Sequence, residues 1–184
     1  MSVLLRFYTI SDLDIFDIQA EPKRLEILHY GEILDPSSID ELDEIEQNSI
    51  IKWKPESTPE ILYVEGMFQS LHYILTSHIE TNLGTFPLNF LNGRRNEIGE
   101  IGWGPATFYN SGDVKEIATA LERLDYSKIE INFDPGIFNQ TEVYPKNYTW
   151  KKEDINSLID KLKEITTFVN LTKNKNLGMY RVFV

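Results

Sequence analysis

The sequence predicts an α+β fold, a single domain in which a small mainly antiparallel or mixed sheet packs against amphipathic helices. Three observations carry that expectation. Helical and extended patterns follow one another irregularly along the 184 residues, without the repeated strand-helix-strand units of a doubly wound sheet. Two segments, residues 112–124 and 153–171, have apolar side chains at helical spacing. Short runs of β-branched and aromatic residues stand at 3–10 and at 179–184. The length matches one domain spanning 1–184, and 41% hydrophobic residues with 26% charged is too apolar a balance for a disordered chain.

The elements follow in order. Residues 3–10 read as a strand buried on both faces, and Ser11 as the cap of a short helix, with Asp12 and Asp14 favourable at its positive end. Ile39, Leu42 and Ile45, three apart, predict a short acidic surface helix over 37–46. Pro55 and Pro59 mark a loop. Val64, Met67, Phe68, Leu71, Ile74 and Leu75 share one side of a helix expected from 62 to 78. Residues 87–91 read as a short strand closed by a turn at Asn92-Gly93 and running on through Arg94 and Arg95.

Residues 106–109 read as another strand. Val114, Ile117, Ala118, Leu121 and Leu124 then make a clean apolar stripe behind a cap at 110–113. Ile129, Ile131 and Phe133 alternate like a strand before a turn at Asp134-Pro135-Gly136, although a helix is equally compatible with 126–149. Ile155, Leu158, Ile159, Leu162, Ile165 and Val169 define the last helix, which Asn176-Leu177-Gly178 ends before the final strand.

Composition removes several functions. Without cysteine there is no disulfide, no iron–sulfur cluster, no cysteine-ligated zinc and no thiol nucleophile. The start of the chain lacks a signal sequence and no apolar run approaches the roughly 18 residues of a membrane span, so a cytoplasmic location away from membranes is expected. The net charge of −11 is unevenly spread, with 15 Asp/Glu against 5 Lys/Arg in residues 1–66 and 14 against 13 in the remainder. The acidity gathers at Asp35, Asp40, Glu41, Asp43, Glu44 and Glu46, a surface that repels a phosphate backbone and makes nucleic acid an unexpected ligand.

The blocks Leu71-His72-Tyr73-Ile74-Leu75-Thr76, then Gly102-Trp103-Gly104-Pro105-Ala106 with Tyr109 and Val114-Lys115-Glu116-Ile117-Ala118, then Tyr144-Pro145 with Trp150, occur in that order. Together they resemble the YfbM-like family of uncharacterised bacterial domains, most clearly over 62–184, with Phe68 where that family usually has Trp. The resemblance implies a compact α+β domain of unknown activity and supplies no catalytic residue.

Among side chains with chemical capacity, His72 can serve as acid, base or ligand, but its place on a strongly apolar helix better suits a core-edge histidine hydrogen-bonded to a neighbouring carbonyl or tyrosine. His72 and His78 are six apart, about 240° around a helix, and cannot share one metal. Trp103 in its glycine-flanked turn, with Tyr109, Tyr144, Trp150 and His72, forms a candidate pocket, against the plainer reading of aromatics filling a core. The phosphate-loop, nucleophile-elbow, HExxH and EF-hand patterns are absent, so no catalytic, cofactor or metal residue is assigned. Two readings follow. The first is a protein-binding module whose acidic surface takes a basic protein, as toxin-neutralising immunity proteins do. The second is a small-molecule binder or enzyme with a pocket near His72, Trp103, Tyr109 and Tyr144.

Overall fold

In the computed structural model, which describes residues 3–78, 84–93, 95–141, 143–145 and 147–184, five strands form one sheet. They are β1 (Leu5–Ile10), β2 (Ile61–Glu65), β3 (Glu97–Ile98), β4 (Ala106–Tyr109) and β5 (Gly178–Phe183). The order is β2-β1-β5-β4-β3 and every pairing of these strands is antiparallel. The helices are α1 (Asp12–Ala20), α2 (Arg24–Tyr30), α3 (Glu44–Ile51), α4 (Phe68–Thr76), α5 (Ser111–Glu122), α6 (Tyr126–Asn132), α7 (Pro135–Gln140) and α8 (Asp154–Asn174). Two 3-10 helices, Pro36–Ile39 and Leu88–Leu91, complete the set among the described residues. The expected α+β class is the one observed.

Helices cover both faces of the sheet, which is why its inner strands are buried except at Arg6 and Phe183. Successive strand residues point to opposite faces. Leu5 and Phe7 of β1, Tyr109 of β4 and Met179 of β5 therefore meet α4, α5 and α8, while Tyr8, Ile10, Ala106, Phe108, Tyr180 and Val182 meet α1 and α2. On the second face Tyr8 stacks on Tyr180 at 4.8 Å and Phe108 on Tyr180 at 5.5 Å. Such ring pairs add to the area they bury.

Two predicted elements differ from the structure. The helix expected from 62 begins only at Phe68; residues 61–65 are β2, with Leu62 and Val64 buried and Ile61, Tyr63 and Glu65 exposed. That is period-two alternation, and Glu65 at φ 57 with Gly66 turns the chain from strand into helix. The acidic helix expected over 37–46 is instead a 3-10 turn followed by α3. Asp43 accepts from the backbone of Ile45 and Glu46 while Glu46 reaches back to the Asp43 amide, and this capping box starts a new helix in the middle of the predicted one. Ile45, on the predicted apolar stripe, is 81% exposed.

Smaller differences share one cause, the short reach of local signals. Leu88–Leu91 form a 3-10 helix where a strand is expected over 87–91, and the turn expected at Arg94 lies outside the described residues. The segment that alternates like a strand is α6, and Asp134-Pro135-Gly136 is the cap and first turn of α7, with proline where an unpaired N–H costs nothing.

α1 is tied down by its carboxylates. Asp12 accepts from Ser111 N and Oγ at 2.8 and 2.7 Å, Asp14 from Glu56 N at 3.2 Å, and Asp17 from Trp53 Nε1 at 2.9 Å. Ser11 caps α1 as expected, its Oγ accepting from Asp14 N, while Asp12 ties the first turn of α1 to the start of α5. Burial raises the Asp14 pKa, opposed by its hydrogen bonds to Ser11 and Glu56.

His29 of α2 sits at the edge of the tyrosine stack, its Nδ1 3.4 Å from Tyr180 Oη and its ring edge-on to Tyr8 and Tyr30. Burial, and then the charge of Arg6, lower its pKa below 6.5. The unfolded chain therefore takes up the proton first as pH falls, so stability is complete above about 6.5 and declines toward the depressed folded value. Replacing His29 by Gln is expected to flatten the melting temperature against pH over that acid window and leave it unchanged above pH 7. Parallel profiles for the two chains over the window would refute this.

Candidate functional site

The six acidic residues of the segment are all exposed, but their carboxylates do not have equal freedom. Asp35 caps the first 3-10 helix, accepting from Ser37 N and Oγ at 3.1 and 2.6 Å, and Asp43 and Glu46 form the capping box of α3. Asp40, Glu41 and Glu44 carry no hydrogen bond or ion pair from a side-chain oxygen among the described residues. Three of the six are thus occupied by local structure, and three are left to face solvent.

Beside them is an apolar cleft of about 230 Å³, lined by Ile27, Ile33, Pro36, Ile39 and Ile51. Leu34, Ile45 and Ile51 of the same region stand exposed. An apolar hollow with charges around it has the anatomy of a protein-binding patch, where an anchor side chain is buried at the centre and polar groups form the rim. Sequence reasoning found the charges. It missed the hollow, because Ile27, Ile39 and Ile51 come from three different elements.

The aromatic and histidine set is dispersed. His72 is 0% exposed within α4, and Tyr109 is 1% exposed with its hydroxyl donating to the Phe90 carbonyl at 2.6 Å. Burial is the main cause that raises the Tyr109 pKa. Trp103 is 60% exposed. A sealed histidine, a sealed tyrosine and an outward indole have no common opening.

Tyr144 is held against α4, its ring stacked on Phe68 at 5.5 Å, its N–H donated to Gln69 Oε1 at 2.7 Å and its carbonyl accepting from Ser70 Oγ at 3.0 Å. Its hydroxyl accepts from Val3 N at 3.2 Å. Trp150 is 6% exposed and lies edge-to-face with Phe138 and Tyr148. Its backbone is locked by a reciprocal pair with Asn139, N to Oδ1 at 2.7 Å and Nδ2 to O at 3.0 Å.

The glycine-flanked tryptophan has a packing explanation. Gly102, at φ 69, approaches the Phe183 carbonyl so closely that a Cβ would lie 2.2 Å from its oxygen, and Trp103 N donates to that same oxygen at 2.8 Å. The motif docks a loop on the end of β5 and leaves the indole in solvent.

One polar centre escaped the sequence entirely. Arg181, 3% exposed in the middle of β5, donates from Nη1 to Leu91 O at 2.6 Å and from Nη2 to Thr107 Oγ1 at 2.7 Å, with Phe90 O at 3.4 Å. It forms no ion pair among the described residues. Burial lowers its pKa, and the guanidinium sits 5.1 Å from the Phe183 ring centroid. Its only sequence signal was a charge in an apolar strand.

Among the described residues no group of three or more His, Asp or Glu is placed to hold a metal ion, and no helix is long and apolar enough to cross a membrane.

Comparison with known proteins agrees with this geometry in giving a fold and no chemistry. The chain is similar to a solved Escherichia coli structure described as a protein of unknown function, YfbM, with a TM-score of 0.67, 14% identity, and 98% of this chain and 99% of that chain covered. At that identity the likeness is one of fold. No curated protein matches. A family model described as Domain of unknown function (DUF1877) matches residues 1–180, and the chain belongs to that family.

Proposed function

We propose that the protein is a cytoplasmic binding module that takes a basic protein on the surface formed by α2, the 36–39 turn and α3, in the manner of an immunity protein neutralising a cationic target. The observation that supports this is the juxtaposition of the carboxylates of Asp40, Glu41 and Glu44, none engaged by a neighbour among the described residues, with the cleft of Ile27, Ile39 and Ile51. The charges steer and select the partner, and the apolar cleft anchors it. The three charges are not used by the local caps: in this segment capping uses Asp35, Asp43 and Glu46.

Converting Asp40, Glu41 and Glu44 together to Asn, Gln and Gln leaves all three caps intact. Immobilised native chain is expected to retain basic proteins from a cell extract and release them as salt rises. The triple variant is expected to hold them about tenfold more weakly, with the salt dependence gone. Identical retained proteins with the same affinity and salt response would overturn the proposal.

A further inference from the structure

We propose that a second site, the cleft between the start of α8 and Pro145, Tyr148 and Trp150, binds a small organic amine, with the ammonium at Asp154 and the apolar body against Tyr148 and Trp150. The cleft measures about 220 Å³ and is walled by Met67, Pro145, Tyr148, Trp150 and Leu158, with Asp154 and Ser157 its only polar side chains besides the tyrosine and indole groups. That is room for roughly seven waters, below the roughly 300 Å³ at which drug-sized pockets begin, so the ligand is small.

Two features define its chemistry. The Tyr148 and Trp150 rings stand nearly perpendicular, at 81° with centroids 5.1 Å apart, and aromatic rings attract cations to their faces. Asp154 is the single carboxylate. It already accepts from Tyr148 Oη and Lys151 N, both at 2.7 Å, and a carboxylate with about four acceptor positions still has places for an ammonium. Asp154 also answers the positive end of α8, so an anionic ligand gains little there and meets a like charge.

This site shares no residue with the acidic segment and does not rest on the protein-binding reading.

The test is a titration with 2-phenylethylammonium chloride followed by the indole N–H resonance of Trp150 in a ¹H–¹⁵N spectrum, assigned through a Trp150→Phe variant. A saturable shift with a dissociation constant of about 1 mM is expected. 2-Phenylethanol, nearly the same shape without charge, should bind about tenfold more weakly, and phenylacetate should not bind at all. Asp154→Asn keeps an oxygen acceptor for Lys151 N and should cost the amine about tenfold in affinity. The inference is overturned by an unmoved Trp150 resonance up to about 20 mM amine, or by equal affinity for the alcohol. The alcohol comparison needs no variant and decides the matter even if Asp154→Asn fails to fold.

Discussion

Replacing Arg181 by alanine is expected to lower the unfolding free energy by about 4 kcal/mol, read from urea denaturation. The guanidinium joins β5 to two other parts of the structure on this sheet face. It donates to the 3-10 helix at Leu91, approaches Phe90 and bonds Thr107 on β4. Truncation leaves the Leu91 carbonyl without its donor in a buried place and opens a hollow against Phe183. Part of that loss is offset because a charge whose ionisation burial already disfavours is no longer kept out of water. Arg181→Met retains most of the volume and is expected to lose about half as much, which separates the hydrogen bonds from the packing. A loss under about 1 kcal/mol for the alanine variant would show that the bonds and the buried charge cancel.

Gly178→Ala is the second large effect, about 3 kcal/mol of destabilisation from one added methyl. A Cβ at this position would lie 2.5 Å from the Tyr109 carbonyl oxygen and 2.8 Å from Ile15 Cδ1. The methyl end of Ile15 can rotate aside. The carbonyl belongs to β4, the strand paired with β5, and cannot move without separating them. Shortening Ile15 to Val in the same chain is therefore expected to restore little of the loss, as a urea midpoint for each single variant and the pair would show. Full recovery would mean that α1, not the backbone of β4, sets the limit.

How much of this could be read in advance depended on whether a residue's role was local. The cap of α5 and the stripes of α5 and α8 are written within one or two turns of chain, and they were legible at Asn110, Asp113, Val114, Ile117 and Leu121 and at Ile155, Leu158 and Leu162. The strand at 61–65 was not, because Val64 also fits the helical spacing that runs on to Met67, Phe68 and Leu71, and only pairing with β1 breaks the tie. At the acidic segment the charges were visible and the adjoining hollow was not, since its walls meet only in three dimensions. The pocket expected around His72, Trp103 and Tyr109 joined residues that burial separates. The Tyr148 and Asp154 contact was hidden because neither residue belongs to a periodic pattern, and a tyrosine hydroxyl six residues before a helix aspartate carries no local signature.

The central place of β5 also bears on how the chain reaches its native state. During synthesis β1 emerges first, and β2 is its only early partner; its other edge must wait for a strand some 170 residues later, beyond α8. Until then β1 presents unpaired backbone donors and acceptors on a strand whose side chains are apolar on both faces, the combination that invites pairing with another chain. β4 waits as well, holding only the two-residue strand β3. Folding should therefore be slow for a protein of this size, since its principal contacts join distant parts of the sequence, and the danger of aggregation should be concentrated in the interval before β5 is available.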